Sequence, residues 1–403
     1  MRSIYSLRHA AKGIEMCGMK RFCTLLATLL CMNPDISLAG TSDGTPEEHT
    51  VSTDLPVEAI PDLTEESARF KFLKKIPKNL LLVPIPTSSP TFGTGLILGG
   101  AWFYSQTEEQ KNAQPASFTG AAAGYTDNES WFAGVMQQNY WKEDTWRFTG
   151  VAAYLDFKLE LRPPDTGDGA TRPVDWLVDG AFVQARLSRK LWGKWYLGLL
   201  GRYLDISQAF DLNIEDEGFN LYSEISSAGI GLNLEFDSRD LPSNPYVGRH
   251  FELKAMTSNQ SDTEAESYQS YHARFRSYHS LADPLVLAWD ISGCSKDGRV
   301  PLWDTCRLAL RGFPATDYLG KQSLYAQAEV RWRLYKRWGI VAFAGAGRVD
   351  DSFGNIGEDE TIPSYGVGLR FMLLESQRIN LRIDYARSDK GREAWYLSVT
   401  EAF

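Results

Sequence analysis

Between Leu324 and Tyr335 the chain alternates without a break. Leu324, Ala326, Ala328, Val330, Trp332 and Leu334 fall on one side, and Tyr325, Gln327, Glu329, Arg331, Arg333 and Tyr335 on the other. Successive side chains of a β-strand point to opposite faces, so this period means a strand with one apolar and one polar face. The pattern recurs. Ile379, Leu381, Ile383 and Tyr385 oppose Arg378, Asn380, Arg382, Asp384 and Ala386; Leu285, Leu287, Trp289 and Ile291 oppose Val286, Ala288 and Asp290. Two folds satisfy it: a sandwich with its polar faces in water, or a membrane barrel with its apolar face in lipid. Three features favour the barrel. The strands run to about ten residues, the spanning length of a tilted strand. Aromatic residues gather at strand ends (Tyr140, Trp141, Trp146; Trp192, Trp195, Tyr196; Tyr335, Trp338), as in an interfacial girdle. The polar faces mix both signs of charge, as a closed lumen does.

Strand runs begin near residues 93, 115, 129, 146, 174, 194, 222, 248, 268, 285, 322, 338, 364, 378 and 394. An even count needs one more. Alternation of short turns with longer loops slips before residue 174, which predicts a weak strand within 157–172 and sixteen in all. The expected fold is an all-β transmembrane antiparallel barrel over residues 84–403.

The chain ahead of it reads differently. Lys20 and Arg21 precede an apolar run from Phe22 to Met32, and Ser37 and Ala39 suit a cleavage site after Ala39. Residues 1–39 therefore read as a signal peptide, with Met19 a better start than Met1. Residues 40–83 read as an acidic tail and a short helix. The tail, residues 41–62, holds Asp43, Glu47, Glu48, Asp54, Glu58 and Asp62 and no Lys or Arg. After cleavage the remaining cysteines are Cys294 and Cys306, and export permits a disulfide between them. A net charge of −9 with no basic block argues against nucleic acid as a partner.

The segment "GIGLNLEFDSRDLPSNPYVGRHFELKA" resembles the Asp-x-Arg-Asp strand, proline turn and next strand of the bacterial surface-antigen barrels, the BamA/TamA-like assembly proteins. "LRGF", Leu310, Arg311, Gly312 and Phe313, is similar to the signature of their long extracellular loop that folds into the lumen. "FAGAG", from Phe343 to Gly347, "YGVGLRF" and the terminal Phe403 continue the pattern over about residues 84–403. The resemblance implies that Arg311 docks on the inner wall against carboxylates of the following strands. The aspartate usual in the second motif is replaced by Gly345. Glu329 lies on the lumen face of the next strand and is the expected partner, with Phe343, Gly345 and Gly347 lining the dock. Phe403 would be the C-terminal barrel signal. Residues 40–83 are too few for a POTRA domain, which matches the short branch without them.

The resemblance implies residence in the outer membrane of a Gram-negative bacterium, in contact with its bilayer. It also implies help in inserting or exporting outer-membrane or surface proteins. Unfolded clients, periplasmic chaperones or accessory lipoproteins would be the partners. The alternative is a plugged pore or structural barrel. No enzyme, cofactor or metal is expected. His272 shares the inner face with Ser270, Arg274 and Arg276, His279 has the opposite parity, and no Gly-x-Ser-x-Gly elbow occurs.

Overall fold

The computed structural model describes residues 79–161, 174–214, 217–261, 267–351, 360–375, 378–388 and 391–403. Its chain runs through β1 (Leu80–Ser89), β2 (Gly93–Phe103), β3 (Phe118–Thr126), β4 (Trp131–Trp141), β5 (Trp146–Leu161), β6 (Val174–Trp192), β7 (Trp195–Ile214), β8 (Glu217–Asp237) and β9 (Gly248–Gln260). It continues through β10 (Ser267–Ala282), β11 (Leu285–Gly298), the short β12 (Cys306–Arg307) and β13 (Leu319–Gly320), then β14 (Gln322–Tyr335), β15 (Trp338–Asp350), β16 (Ile362–Leu374), β17 (Ile379–Ser388) and β18 (Glu393–Val399). All but β12 and β13 form one closed antiparallel barrel of sixteen strands, in which β18 returns to β1. Closure satisfies the edge groups that an open sheet would leave bare in lipid.

The sixteenth strand is not where the turn lengths place it. Residues 157–161 continue β5, residues 162–173 lie outside those described, and the extra strand is β1, at the other end of the domain. The expected boundary at residue 84 therefore cuts β1, whose first residues had been assigned to the tail. The cause is a reversed pair of connections. β1 and β2 are joined by a three-residue turn at the end opposite the chain termini, where long loops were expected. The β2–β3 connection, at the end of the termini, is long and carries a helix, Glu108–Ala113, capped by a Thr107–Gln110 box. The signal peptide, the acidic stretch and the helix expected before Pro77 lie outside the described residues.

Parity is as the alternation predicts. Leu324, Val330 and Trp332 are exposed on the outer wall, while Glu329, Asp290 and Asp384 are at most 1% exposed. It breaks at the end of β14, where Arg333, Leu334 and Tyr335 are all exposed and the β14–β15 register shifts between Arg333 and Tyr335. Of the expected girdle, Trp141, Trp192, Tyr335 and Trp338 face outward. Tyr140 and Tyr196 instead flank the lumen guanidinium of Arg147, at 5.8 and 3.7 Å from its carbon. The wall is uneven in height: β6, β7 and β8 have 19, 20 and 21 residues, whereas β18 has 7.

Candidate functional site

The connection from β11 to β14 turns into the barrel. Its two legs zip together where Cys306 pairs with Gly320 and Arg307 with Leu319, and the Cys294–Cys306 disulfide ties the outgoing leg to β11. Between the legs the tip presents Arg311. One nitrogen donates to Glu329 Oε2 and another to Asp384 Oδ2, both at 2.8 Å. The guanidinium lies over the Phe343 ring at 3.4 Å. Each carboxylate has a second cation: Arg331 donates to Glu329 at 2.6 Å, and Arg370 to Asp384 at 2.6 Å. Charges this deeply buried are tolerable only when paired, and each charge of the network has an opposite partner, although Arg311 Nε and Arg370 Nη2 have no hydrogen-bond partner among the described residues.

Glycines make room for these groups. A Cβ at Gly368 would stand 2.0 Å from Asp384 Oδ1, and one at Gly366 2.6 Å from Cζ of Phe343. At Gly347 it would meet the loop's Leu308 at 2.9 Å. Gly345 differs from expectation: the atoms nearest its absent Cβ belong to Gln327 and Ala326 of the neighbouring strand, not to the loop. Gly312 takes φ 119°, and a Cβ there would stand 3.2 Å from the Arg387 carbonyl carbon and the Ser388 Cβ, a conformation and a clearance that suit glycine. Leu308, Leu310 and Phe313 pack with Tyr325 and Ile362.

Several fastenings of the loop were not legible in the sequence. The Gly312 amide donates to the Tyr396 hydroxyl on β18 at 2.8 Å, and that hydroxyl donates to the Phe313 carbonyl at 3.2 Å. The Ala315 amide donates to Thr91 Oγ1, in the β1–β2 turn, at 2.8 Å. The tip thus touches both sides of the β1–β18 junction. Across the lumen, Asp304 accepts from Arg202 of β7 at 2.7 Å and from Tyr268 of β10 at 2.6 Å, with Lys296 at 2.9 Å. Burial raises the Asp304 carboxyl, but Lys296 and Arg202 outweigh it and hold the group well below 3.8.

Phe403 is not a residue of the last strand. β18 ends at Val399, Thr400 takes φ 76°, and Phe403 turns inward beside Tyr278 and Ala288, its main-chain oxygen accepting from Arg331. Antiparallel pairing of β8 with β9 also assembles a cluster that sequence spacing hides: Glu235, Asp237 and His250, with ligand atoms within 4.8 Å of one another. Guanidinium groups already serve it, since Arg239 grips both oxygens of Asp237 at 3.0 and 2.9 Å and Arg186 reaches Glu235 at 3.3 Å. His272 Nε2 lies 3.1 Å from Ser292 Oγ, with no partner for its Nδ1, and His279 Nε2 lies 2.8 Å from Ser277 Oγ.

No protein-family model and no curated protein matches this sequence. Solved structures do. BamA from Haemophilus ducreyi lacking POTRA domains 1-3 superposes with a TM-score of 0.55 at 12% identity, over 81% of this chain and 71% of that one. CdiB from Acinetobacter baumannii gives 0.51 at 12% identity, over 80% and 60%, and CdiB from Escherichia coli 0.50 at 13%, over 81% and 64%. The fold is that of the BamA and CdiB barrels. At such identities the likeness carries architecture alone, and the match spans less than two thirds of either CdiB chain. Five barrel strands, β14 to β18, follow the inward loop.

Proposed function

We propose that this chain is an integral barrel of a Gram-negative outer membrane that assists insertion or export of β-rich outer-membrane or surface proteins, through the junction of β1 and β18. The observation that carries this reading is the weakness of that junction. Among the described residues the paired register is Ser88 with Leu397, against a ladder from Leu80 to Ser89 on the β2 side. The carbonyls of Asn79, Leu81 and Val83 point to β2. Neighbouring residues of a strand direct their backbone groups to opposite sides, so the even-numbered ones face β18. Pro84 and Pro86 are among them, and neither has an N–H to give. Beyond Val399 the partner strand has left the wall. An edge that is short, under-bonded and close to the membrane is suited to accept an incoming strand by β-augmentation.

The inward loop supports the same reading. It fastens Tyr396 on one side of the junction and Thr91 on the other. Parting of the strands therefore requires release of the tip. Clients would be unfolded barrel segments, delivered by periplasmic chaperones or accessory lipoproteins.

The test is a crosslink between cysteines placed at Ser88 and Leu397. Locking should block assembly of client proteins in cells, and cleaving the crosslink should restore it. Wild-type assembly through a fully locked barrel sinks the proposal. A second reading, a plugged pore or structural barrel, is favoured by the loop anchored across the lumen at Arg202. It expects a steady planar-bilayer current that rises when residues 300–320 are deleted.

A further inference from the structure

At the barrel end that carries both chain termini, a cavity of about 960 Å³ opens among the turns. Tyr246, Tyr335, Trp338 and Phe371 give it aromatic walls. Four cations line it, and two of them are neutralised: Arg337 pairs with Glu375 at 3.1 Å, and Arg378 with Asp240 at 2.5 Å. The other two, Arg333 and Lys336, have no carboxylate partner among the described residues. Lys336 lies on a tight turn at φ 47° with its ammonium 5.0 Å from the Tyr335 ring. Asp283, also on the lining, has no cation partner among the described residues. It adjoins Arg333, whose amide donates to the Pro284 carbonyl at 3.2 Å.

The cavity thus offers two free positive groups, one free negative group and an aromatic wall. It opens beside the apolar outer belt, where Trp332, Leu334, Trp338, Leu373 and Leu374 are exposed. We propose that it binds the headgroup of a zwitterionic aminophospholipid from the adjoining leaflet. The phosphate meets Arg333 and Lys336, the ammonium meets Asp283, and the acyl chains lie along the belt. Lipid phosphates are drawn to such basic sites at the membrane boundary, and Trp and Tyr are at home there. The chain's own acidic stretch, residues 41–62, is a poorer occupant. It brings Asp43, Glu47, Glu48, Asp54, Glu58 and Asp62 to two free cations, and it has no Lys or Arg to satisfy Asp283.

The site rests on the membrane-spanning reading but not on assembly activity. The experiment is native mass spectrometry of the full chain, released from detergent, with phosphatidylethanolamine, phosphatidylcholine and phosphatidylglycerol in competition. The wild type should hold phosphatidylethanolamine in preference to the other two. Arg333→Gln with Lys336→Gln should weaken that binding by about tenfold or more, and Asp283→Asn should erase the preference over phosphatidylglycerol. Heat-modifiability on gels certifies that each variant is folded. Undiminished binding by the folded double variant overturns the site, as does lipid binding that appears only after residues 41–62 are deleted. A wild-type chain that never inserts into bilayers refutes the membrane reading itself, and the site with it.

Discussion

Replacing Arg311 with alanine should free the loop and leave the barrel standing. The substitution removes two charge-assisted hydrogen bonds of 2.8 Å and the contact with Phe343. It leaves no bare charge, because Glu329 keeps Arg331 and Asp384 keeps Arg370, each at 2.6 Å. The penalty of an orphaned buried ion therefore does not apply. The loss is that of the two bonds, about 3 kcal/mol at roughly 1.5 each, or about 150-fold in the docked-to-undocked ratio. Asp384→Asn is a different case. Arg311, Arg370 and Arg382 converge on that carboxylate at 2.8, 2.6 and 3.8 Å, and Arg382 has no other ionic contact among the described residues. Breaking a buried pair from that side costs about 3–5 kcal/mol and falls on the wall itself. Two readings separate the cases: the temperature of the gel-mobility shift, and protease cleavage within residues 300–320. Arg311→Ala should be cleaved yet shift at the wild-type temperature, while Asp384→Asn should shift at a lower one. A loop as protected in Arg311→Ala as in the wild type, or equal barrel losses in both variants, refutes the reasoning.

Glu329→Gln should release the tip as Arg311→Ala does and, because it also takes the carboxylate from buried Arg331, lower the gel-shift temperature as Asp384→Asn does; with Arg311→Ala it should be less than additive in a protease-protection cycle. Reducing Cys294–Cys306, with a sequence separation of 12, should loosen the loop's outgoing leg by about 3 kcal/mol in the chain-entropy model, read as faster cleavage in reductant. Gly368→Ala places a carbon 2.0 Å from Asp384 Oδ1, so it should copy Asp384→Asn in the gel-shift assay. Replacing Pro86 with threonine restores a donor that the Ser88–Leu397 register places opposite Val399 of β18. Hydrogen exchange should show that edge better protected, by about 1 kcal/mol per bond, and client assembly should fall. Because the Asp304 carboxyl is depressed in the folded state, its contribution is complete above pH 4 and is lost as pH falls through the lowered value. Protease resistance of the loop should therefore be flat from pH 7 to 5 and drop only in stronger acid, and Asp304→Asn should make that drop smaller, the remainder belonging to the carboxylates that hold Arg311.

The wall was legible because period two is a local property. Each side chain's face follows from its neighbours, so Glu329, Asp290 and Asp384 could be placed in the lumen without knowing which strand stands beside which. The dock was half legible for the same reason. Parity put Glu329 inside, one strand past the loop, whereas Asp384 met Arg311 only through closure, since 73 residues separate them. Tyr396, Thr91 and Asp304 left no signal, because a hydroxyl or carboxylate on a strand face looks alike whether or not a loop reaches it. β1 was missed because two prolines and a Leu-rich start do not alternate in polarity. Those same prolines weaken the junction, so what hid the strand also gives it its character.

The loop tip holds Tyr396 and Thr91 at once, and this sets an order of events. The strands at the junction cannot separate while a tether shorter than a few residues joins them from inside. Whatever arrives must first unseat the tip, and a lag should precede any parting of the wall. Its length should depend on the grip at Arg311 rather than on the concentration of the arriving chain. In a time-resolved measurement the rate would then saturate early, with the ceiling set by the protein's own latch.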